Sequence, residues 1–258
     1  MSGFQTVPVG QATSVIDDGY VAPLSAPGSD PFFASVVMLL GFEGADGSTT
    51  ITDESSKKHG NATVNGNAKI SRTQAKFGVS SLSLDGTGDW ISFADSADWQ
   101  LSAANSDQFT IEFWLFTSTA GSNTPVLGQS TSTSNTAWYI LWDHNRVEFL
   151  TTSTGIPAGG TTIAAPISTL ASSAWGHVAI DKDASGKIRV YENGVMQASS
   201  TPANSAMFNS TGPLETRNLS ATTSLFNGFI DELRITKGVA RYQSDIGFAL
   251  PTAPYPRS

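Results

Sequence analysis

The chain predicts an all-β protein, an antiparallel two-sheet jelly-roll sandwich with an extended N-terminal arm. Three observations lead there. Apolar residues recur at period two in short runs, and no long stretch carries the i, i+3, i+4 stripe of an amphipathic helix. Charged residues make up only 14% of the 258 residues, and Gly, Ser, Thr and Asn separate the runs as turn formers do. A chain of this length buries a sizeable core and suits one large β domain better than two small ones.

Residues 1–34 come first and differ from the rest. They contain Pro8, Pro23, Pro27 and Pro31, no Lys or Arg, and only Asp17, Asp18 and Asp30 as charges. Such a segment has too little apolar surface for its own core and is expected to be extended. Yet Phe4, Val7, Val9, Val15, Ile16 and Tyr20 are scattered through it, more than a linker made for solubility carries. Two readings stand: a poorly ordered terminus, or an anchoring arm whose apolar residues order on a neighbouring subunit. The sandwich is assigned to residues 35–250 and a C-terminal tail to 251–258.

Within the body, Gln108–Phe116 is the best strand. Phe109, Ile111, Phe113 and Leu115 share one face, with Trp114 and Phe116 on the other, so both faces are expected to be covered. Ala137–Trp142 and Arg146–Thr151 form a hairpin across Asp143-His144-Asn145; Trp138, Ile140 and Trp142 share a face, Tyr139 and Leu141 the opposite one. A second hairpin joins His177–Asp181 to Lys187–Tyr191, and Asn193-Gly194 has the chemistry of a type I′ turn. Residues 118–136, 152–174 and 200–224 read as long polar loops. In Phe226–Ile235, Phe229, Leu233 and Ile235 follow a strand pattern, but Asp231-Glu232 interrupts it where a buried strand is normally apolar.

Several functions are disfavoured. With no Cys there is neither a disulfide framework nor a thiolate zinc site. A net charge of −8 without a Lys/Arg cluster disfavours nucleic-acid binding. The start Met-Ser-Gly-Phe-Gln-Thr lacks a basic region followed by an apolar run, so no secretory signal is expected. The longest apolar run, Val36 to Leu40, is too short for membrane insertion. Glycan hydrolysis needs two carboxylates flanking one bond, and acids two apart on a strand supply them. Only Asp181 and Asp183 have that spacing near a strand, and they run into an Asp-Ala-Ser-Gly turn. With no Gly-x-Ser-x-Gly elbow or metal-binding His pair either, an enzyme is not expected.

The ordered set Leu39-Leu40-Gly41-Phe42-Glu43-Gly44, Ser81-Leu82-Ser83-Leu84-Asp85-Gly86-Thr87-Gly88-Asp89-Trp90, Phe109–Leu115, Trp175-Gly176-His177-Val178 and Phe229-Ile230-Asp231-Glu232-Leu233 resembles the concanavalin A-like lectin/glucanase (laminin-G-like) family over residues 36–245. The resemblance implies one structural calcium ion, with Glu43, the Asp85-Gly86 turn and Asp231 at the matching positions. It also implies sugar binding through aromatics, for which Trp138 and Trp142 are the candidates. The phrasing of the first and last strands is similar to phage and prophage examples. The expected function is therefore a non-enzymatic bacteriophage virion surface protein, on head or tail, made in the host cytoplasm. Its arm would bind other virion proteins, its sandwich host-surface polysaccharide, and a homo-oligomer is compatible with this. A bacterial carbohydrate-binding or adhesion module is the alternative, and a divergent glycan hydrolase a third reading.

Overall fold

The computed structural model describes residues 28–117, 123–166, 170, 173–217 and 225–258. The arm positions Phe4, Val7, Val9, Val15, Ile16 and Tyr20 lie outside them. Strands in chain order are β1 (Val36–Leu40), β2 (Thr63–Asn65), β3 (Lys69–Ser71), β4 (Ser81–Asp85), β5 (Trp90–Phe93), β6 (Phe109–Phe116), β7 (Thr124–Ser132) and β8 (Asn135–Asp143). They continue as β9 (Arg146–Thr151), β10 (Thr161–Ala164), β11 (Trp175–Lys182), β12 (Ile188–Glu192), β13 (Val195–Ser200), β14 (Leu214–Glu215) and β15 (Asn227–Lys237). Eight of them form one sheet, β13-β12-β11-β6-β15-β4-β3 with β1 also pairing β15, and seven the other, β10-β9-β8-β7-β14-β5-β2. All the pairings are antiparallel.

The core lies between the sheets. From β6 it takes Phe109, Ile111, Phe113 and Leu115, from β8 Trp138, Ile140 and Trp142, and from β15 Ile230, Leu233 and Ile235. The predicted alternation holds for β6 and β8. In β15 Phe229 is expected on the face of Leu233 and Ile235, but the ladder shift between Asp231 and Arg234 brings Ile230 inward and leaves Phe229 half-buried outside the core. The two expected tight turns also form: His144 and Asn145 have φ of 47° and 61°, Asn193 and Gly194 49° and 76°, as a type I′ turn requires. Three strands lie inside segments read as loops, namely β7, β10 and β14. Thr124–Ser132 (TPVLGQSTS) sends only Val126, Leu127 and, through hydrogen bonds, Gln129 inward, and a two-residue strand such as β14 has no period to detect.

The outer face of the eight-stranded sheet is polar and largely covered by the chain's own ends. Residues 239–258 cross it as a strap. Arg241 N–H donates to Thr110 Oγ1, Gln243 N–H to Asp181 Oδ2 at 2.7 Å, and Tyr255 N–H to Glu232 at 2.8 Å. Tyr255 packs with Val36, Leu39 and Phe33. Asp30 N–H donates to the Ser258 carbonyl at 2.8 Å. Asp30 itself is buried and paired with Arg234 and Arg241. Residues 30–34 and 251–258 are therefore integral to the sandwich, and the boundaries at 34 and 250 set from composition are corrected. Composition could not see that short Pro-rich ends gain their buried surface from the sheet rather than from each other.

The acidic pair of β15 has a structural explanation. The ladder slips between Asp231 and Arg234, with Glu232 at φ 49°, the signature of a bulge. Glu232 turns to Arg257, Nη2 to Oε1 at 2.7 Å. Asp231 accepts N–H bonds from Lys76, Phe77 and Glu232. Both acids are thus partnered in the interior, as buried carboxylates must be.

Candidate functional site

The outward face of the seven-stranded sheet carries one continuous row. Register places Thr63, Ser92, Glu215, Gly128, Tyr139, Leu150 and Thr162 side by side across β2, β5, β14, β7, β8, β9 and β10. Opposed residues of paired strands project to the same face, so the row is one surface. At its centre a Cβ on residue 128 would lie 2.7 Å from the Tyr139 Cβ, so only glycine admits the tyrosine there. Tyr139 exposes 6% and forms an apolar floor with Leu141 and Leu150. Burial, then the charge of Glu148, pushes its hydroxyl above the usual phenol range. Charged pairs stand on either side: Arg146 with Glu148, and Arg217 with Glu215 at 2.8 Å. The Arg217 guanidinium lies 3.7 Å over the Trp90 ring. Thr162 is exposed and Ser92, Trp90 and Arg217 are half-buried. A recessed aromatic flanked by hydroxyls and paired charges suits a polar ligand with apolar ring faces.

Trp138 and Trp142 do not line this face. Both are in the inter-sheet core, 0% and 3% exposed, and Trp138 donates its indole N–H to the Trp99 carbonyl at 3.1 Å. Strand alternation placed them opposite Tyr139 and Leu141; the larger, more apolar set went inward because it fills more core volume. Sequence reading missed Tyr139, Trp90, Glu215 and Arg217 as a set, since two strands, β7 and β14, separate β5 from β8 in the sheet. The available signal was that alternation leaves Tyr139 outward whenever Trp138 is inward.

The three residues matched to calcium do not converge. Asn227 pairs with Asp85 and Ile230 with Leu82, so Gly86 lies at the far end of β4 from Asp231. The segment that reaches Asp231 and Glu43 is Lys76–Ser80. Gly78 there has φ 61°, and a Cβ would fall 1.6 Å from Glu43 Oε1, so glycine is required. Around both carboxylates the donors are N–H and O–H groups: Val79 N–H and the Ser80 hydroxyl on Glu43, backbone N–H on Asp231. Among the described residues no group of three or more acids or histidines is arranged to hold a metal. This donor set does not fit calcium, which needs about six to eight oxygens. Burial, followed by the charge of Glu232 and, more weakly, of Glu43, pushes Asp231 up to about 8. Excess chelator is expected to leave the melting curve unchanged; a clear fall in Tm, restored by calcium, would show an ion bound to the native state.

The other acids are also engaged. Asp181 accepts from Thr110 Oγ1, and Asp183 from Ser185 and Arg189, the latter as the turn residue expected. A cleft of about 330 Å³ is lined by Phe42, Glu43, Ser48, Thr50, Ile51 and Glu54 among others. Glu54 there pairs with Arg257 and the Gly41 N–H. His177 is fully buried, its Nε2 3.0 Å from the Tyr255 hydroxyl. No helix of the described residues is long and apolar enough to cross a membrane.

Two facing antiparallel sheets, closed at one face by the chain ends and recessed at the other, define a lectin-type jelly-roll sandwich. Residues 85–246 match the Concanavalin A-like lectin/glucanases superfamily, and the chain belongs to it. No curated protein matches the sequence. Among solved structures, the binding domain of Paraclostridial Mosquitocidal Protein 1 superposes with a TM-score of 0.60 at 17% identity, covering 80% of this chain and 49% of that one. A botulinum neurotoxin serotype D/C binding domain gives 0.60 at 18%, covering 81% and 50%. Domain 4 of an extracellular arabinanase from Geobacillus stearothermophilus, in complex with arabinotriose, gives 0.59 at 20%, covering 80% and 94%. The chain thus spans about half the length of these toxin binding domains and nearly all of the arabinanase domain.

Proposed function

We propose that this chain is a non-enzymatic, glycan-binding display domain of a bacteriophage virion, held by residues N-terminal to Asp30. The observation that carries this reading is the closure of the sandwich at Asp30. That carboxylate is locked between Arg234 and Arg241, and its N–H meets the last residue, Ser258. Among the described residues the sandwich is paired and covered from Asp30 onward, and in this reading the preceding Phe-, Val- and Ile-bearing segment binds a neighbouring subunit in the particle. The recessed row around Tyr139 on the other sheet supplies the glycan contact, and a sandwich neighbour solved with arabinotriose supports that ligand class. Many copies on one particle would turn weak single contacts into avidity.

A chain beginning at residue 29 is expected to melt within about 2 °C of the full chain while losing incorporation into particles in a complementation assay. Normal occupancy of the truncated protein would refute the anchoring role. An unfolded truncation would show that the earlier residues belong to the body.

A further inference from the structure

The strap leaves one strip of the eight-stranded sheet's outer face open. Register aligns Lys69, Ser83, Phe229, Phe116 and Trp175 across β3, β4, β15, β6 and β11. One row further in, His177, Trp114 and Asp231 are covered by Phe248, Tyr255 and the Lys76–Phe77 segment. The rings of Trp175, Phe116 and Phe229 are only half-buried and follow one another at 5.6 and 5.9 Å between centroids. Lys69 at the end of the row is exposed. The Nε1–H groups of Trp175 and Trp114 are buried and face no acceptor of the protein, so they are not donors that this surface presents. The polar groups the strip does present are the exposed Lys69 ammonium and the half-buried Ser83 hydroxyl at its end, beside the three ring faces.

We propose that this strip is a second glycan-binding site, taking an extended polysaccharide that runs across the strands. Sugar rings present C–H faces to aromatic rings and hydroxyl oxygens to nearby donors, which matches Trp175, Phe116 and Phe229 flanked by Ser83 and Lys69. A peptide is less suited. β6, β11 and β15, which carry the three rings, lie inside the sheet with neighbours on both sides, so the rings stand away from any strand edge that could take a peptide by β-augmentation. The proposal rests on the reading of this chain as a glycan-binding domain, but places the contact on the opposite sheet from Tyr139.

The test is affinity electrophoresis of the full chain through gels containing hydroxyethyl cellulose, polygalacturonate or alginate. At least one is expected to retard the wild type. Trp175→Ala and Phe116→Ala should each weaken that retardation about tenfold. Trp175→Phe, which keeps a smaller ring face, should weaken it less than Trp175→Ala does. Lys69→Ala on the exposed edge strand, where folding is not at risk, should weaken it if the core variants fail to fold. Retardation lost in Tyr139→Ala but unchanged in the strip variants would overturn this site and leave the first. No retardation by any polymer would overturn both. Retention of a virion protein on the strip, abolished by Trp175→Ala, would make it a protein-docking surface and equally refute the proposal.

Discussion

Deleting residues 251–258 is expected to destabilise the sandwich by at least about 4 kcal/mol, lowering Tm by roughly 10 °C or more. The segment looks like a dispensable polar tail, yet three losses coincide. Tyr255, 3% exposed, leaves Val36 and Leu39 without cover. The Arg234 guanidinium loses the ring 3.9 Å beneath it, and His177 loses its hydroxyl partner. Glu232, on the β15 bulge, loses both Arg257 and the Tyr255 N–H. A buried carboxylate stripped of its partners carries its full desolvation cost. Circular dichroism melts of the two chains make the measurement; coincident curves would mean that the strap contributes nothing.

Replacing Glu112 by Ala is expected to cost about 3–5 kcal/mol. Glu112 is fully buried on β6 at the centre of the strap interface. Its Oε1 accepts from Arg234 Nη2 at 2.7 Å, and its Oε2 from the Tyr255 hydroxyl at 3.0 Å and from the Tyr242 hydroxyl. Removing it leaves Arg234 buried with only Asp30 to balance it, and two tyrosine hydroxyls without their acceptor. Glu112→Gln keeps the shape and separates the charge from the hydrogen bonds.

The same network sets the response to acid. Burial, the largest single influence, acts to raise the Glu112 carboxyl, but the Arg234 charge together with His177 and the Tyr242 hydroxyl outweighs it and holds the group well below the usual carboxylate range. Asp30 is likewise raised by burial and brought below its ordinary value by Arg241, the Phe32 N–H and Arg234. A carboxylate with a depressed folded pKa contributes stability that is present above its unfolded value, about 4, and is lost as pH falls through the folded value. Stability should therefore fall steeply below about pH 4, and Glu112→Gln should flatten that fall. An unchanged acid slope in the variant would place the acid-sensitive groups elsewhere.

Much of the fold was legible because it rests on local chemistry. Period-two alternation in β6 and β8, and the Asn-Gly turn, express pleat and steric rules that act within a few residues. The site was less legible. β14 is two residues long, so nothing local marks Glu215 as part of a sheet, and only pairing with β5 and β7 brings it beside Ser92 and Gly128. Alternation split β8 into two faces correctly, but the choice of inner face depends on the volume available between the sheets. The acidic pair in β15 stands out in the sequence, and for Asp231, its first member, the family resemblance implied a calcium ion. Arg257 and the N–H groups of Lys76 and Phe77, distant in sequence, turned out to meet that need.

By itself the sequence determined an all-β chain, its family, its main strands and the chemical oddity of Asp231-Glu232, because these follow from side-chain periodicity and turn preference. Only the tertiary structure decided where the body ends, which aromatics face outward and which carboxylates are already paired. Those outcomes depend on contacts between residues more than two hundred positions apart, such as Asp30 with Arg241, and no local pattern encodes such a meeting.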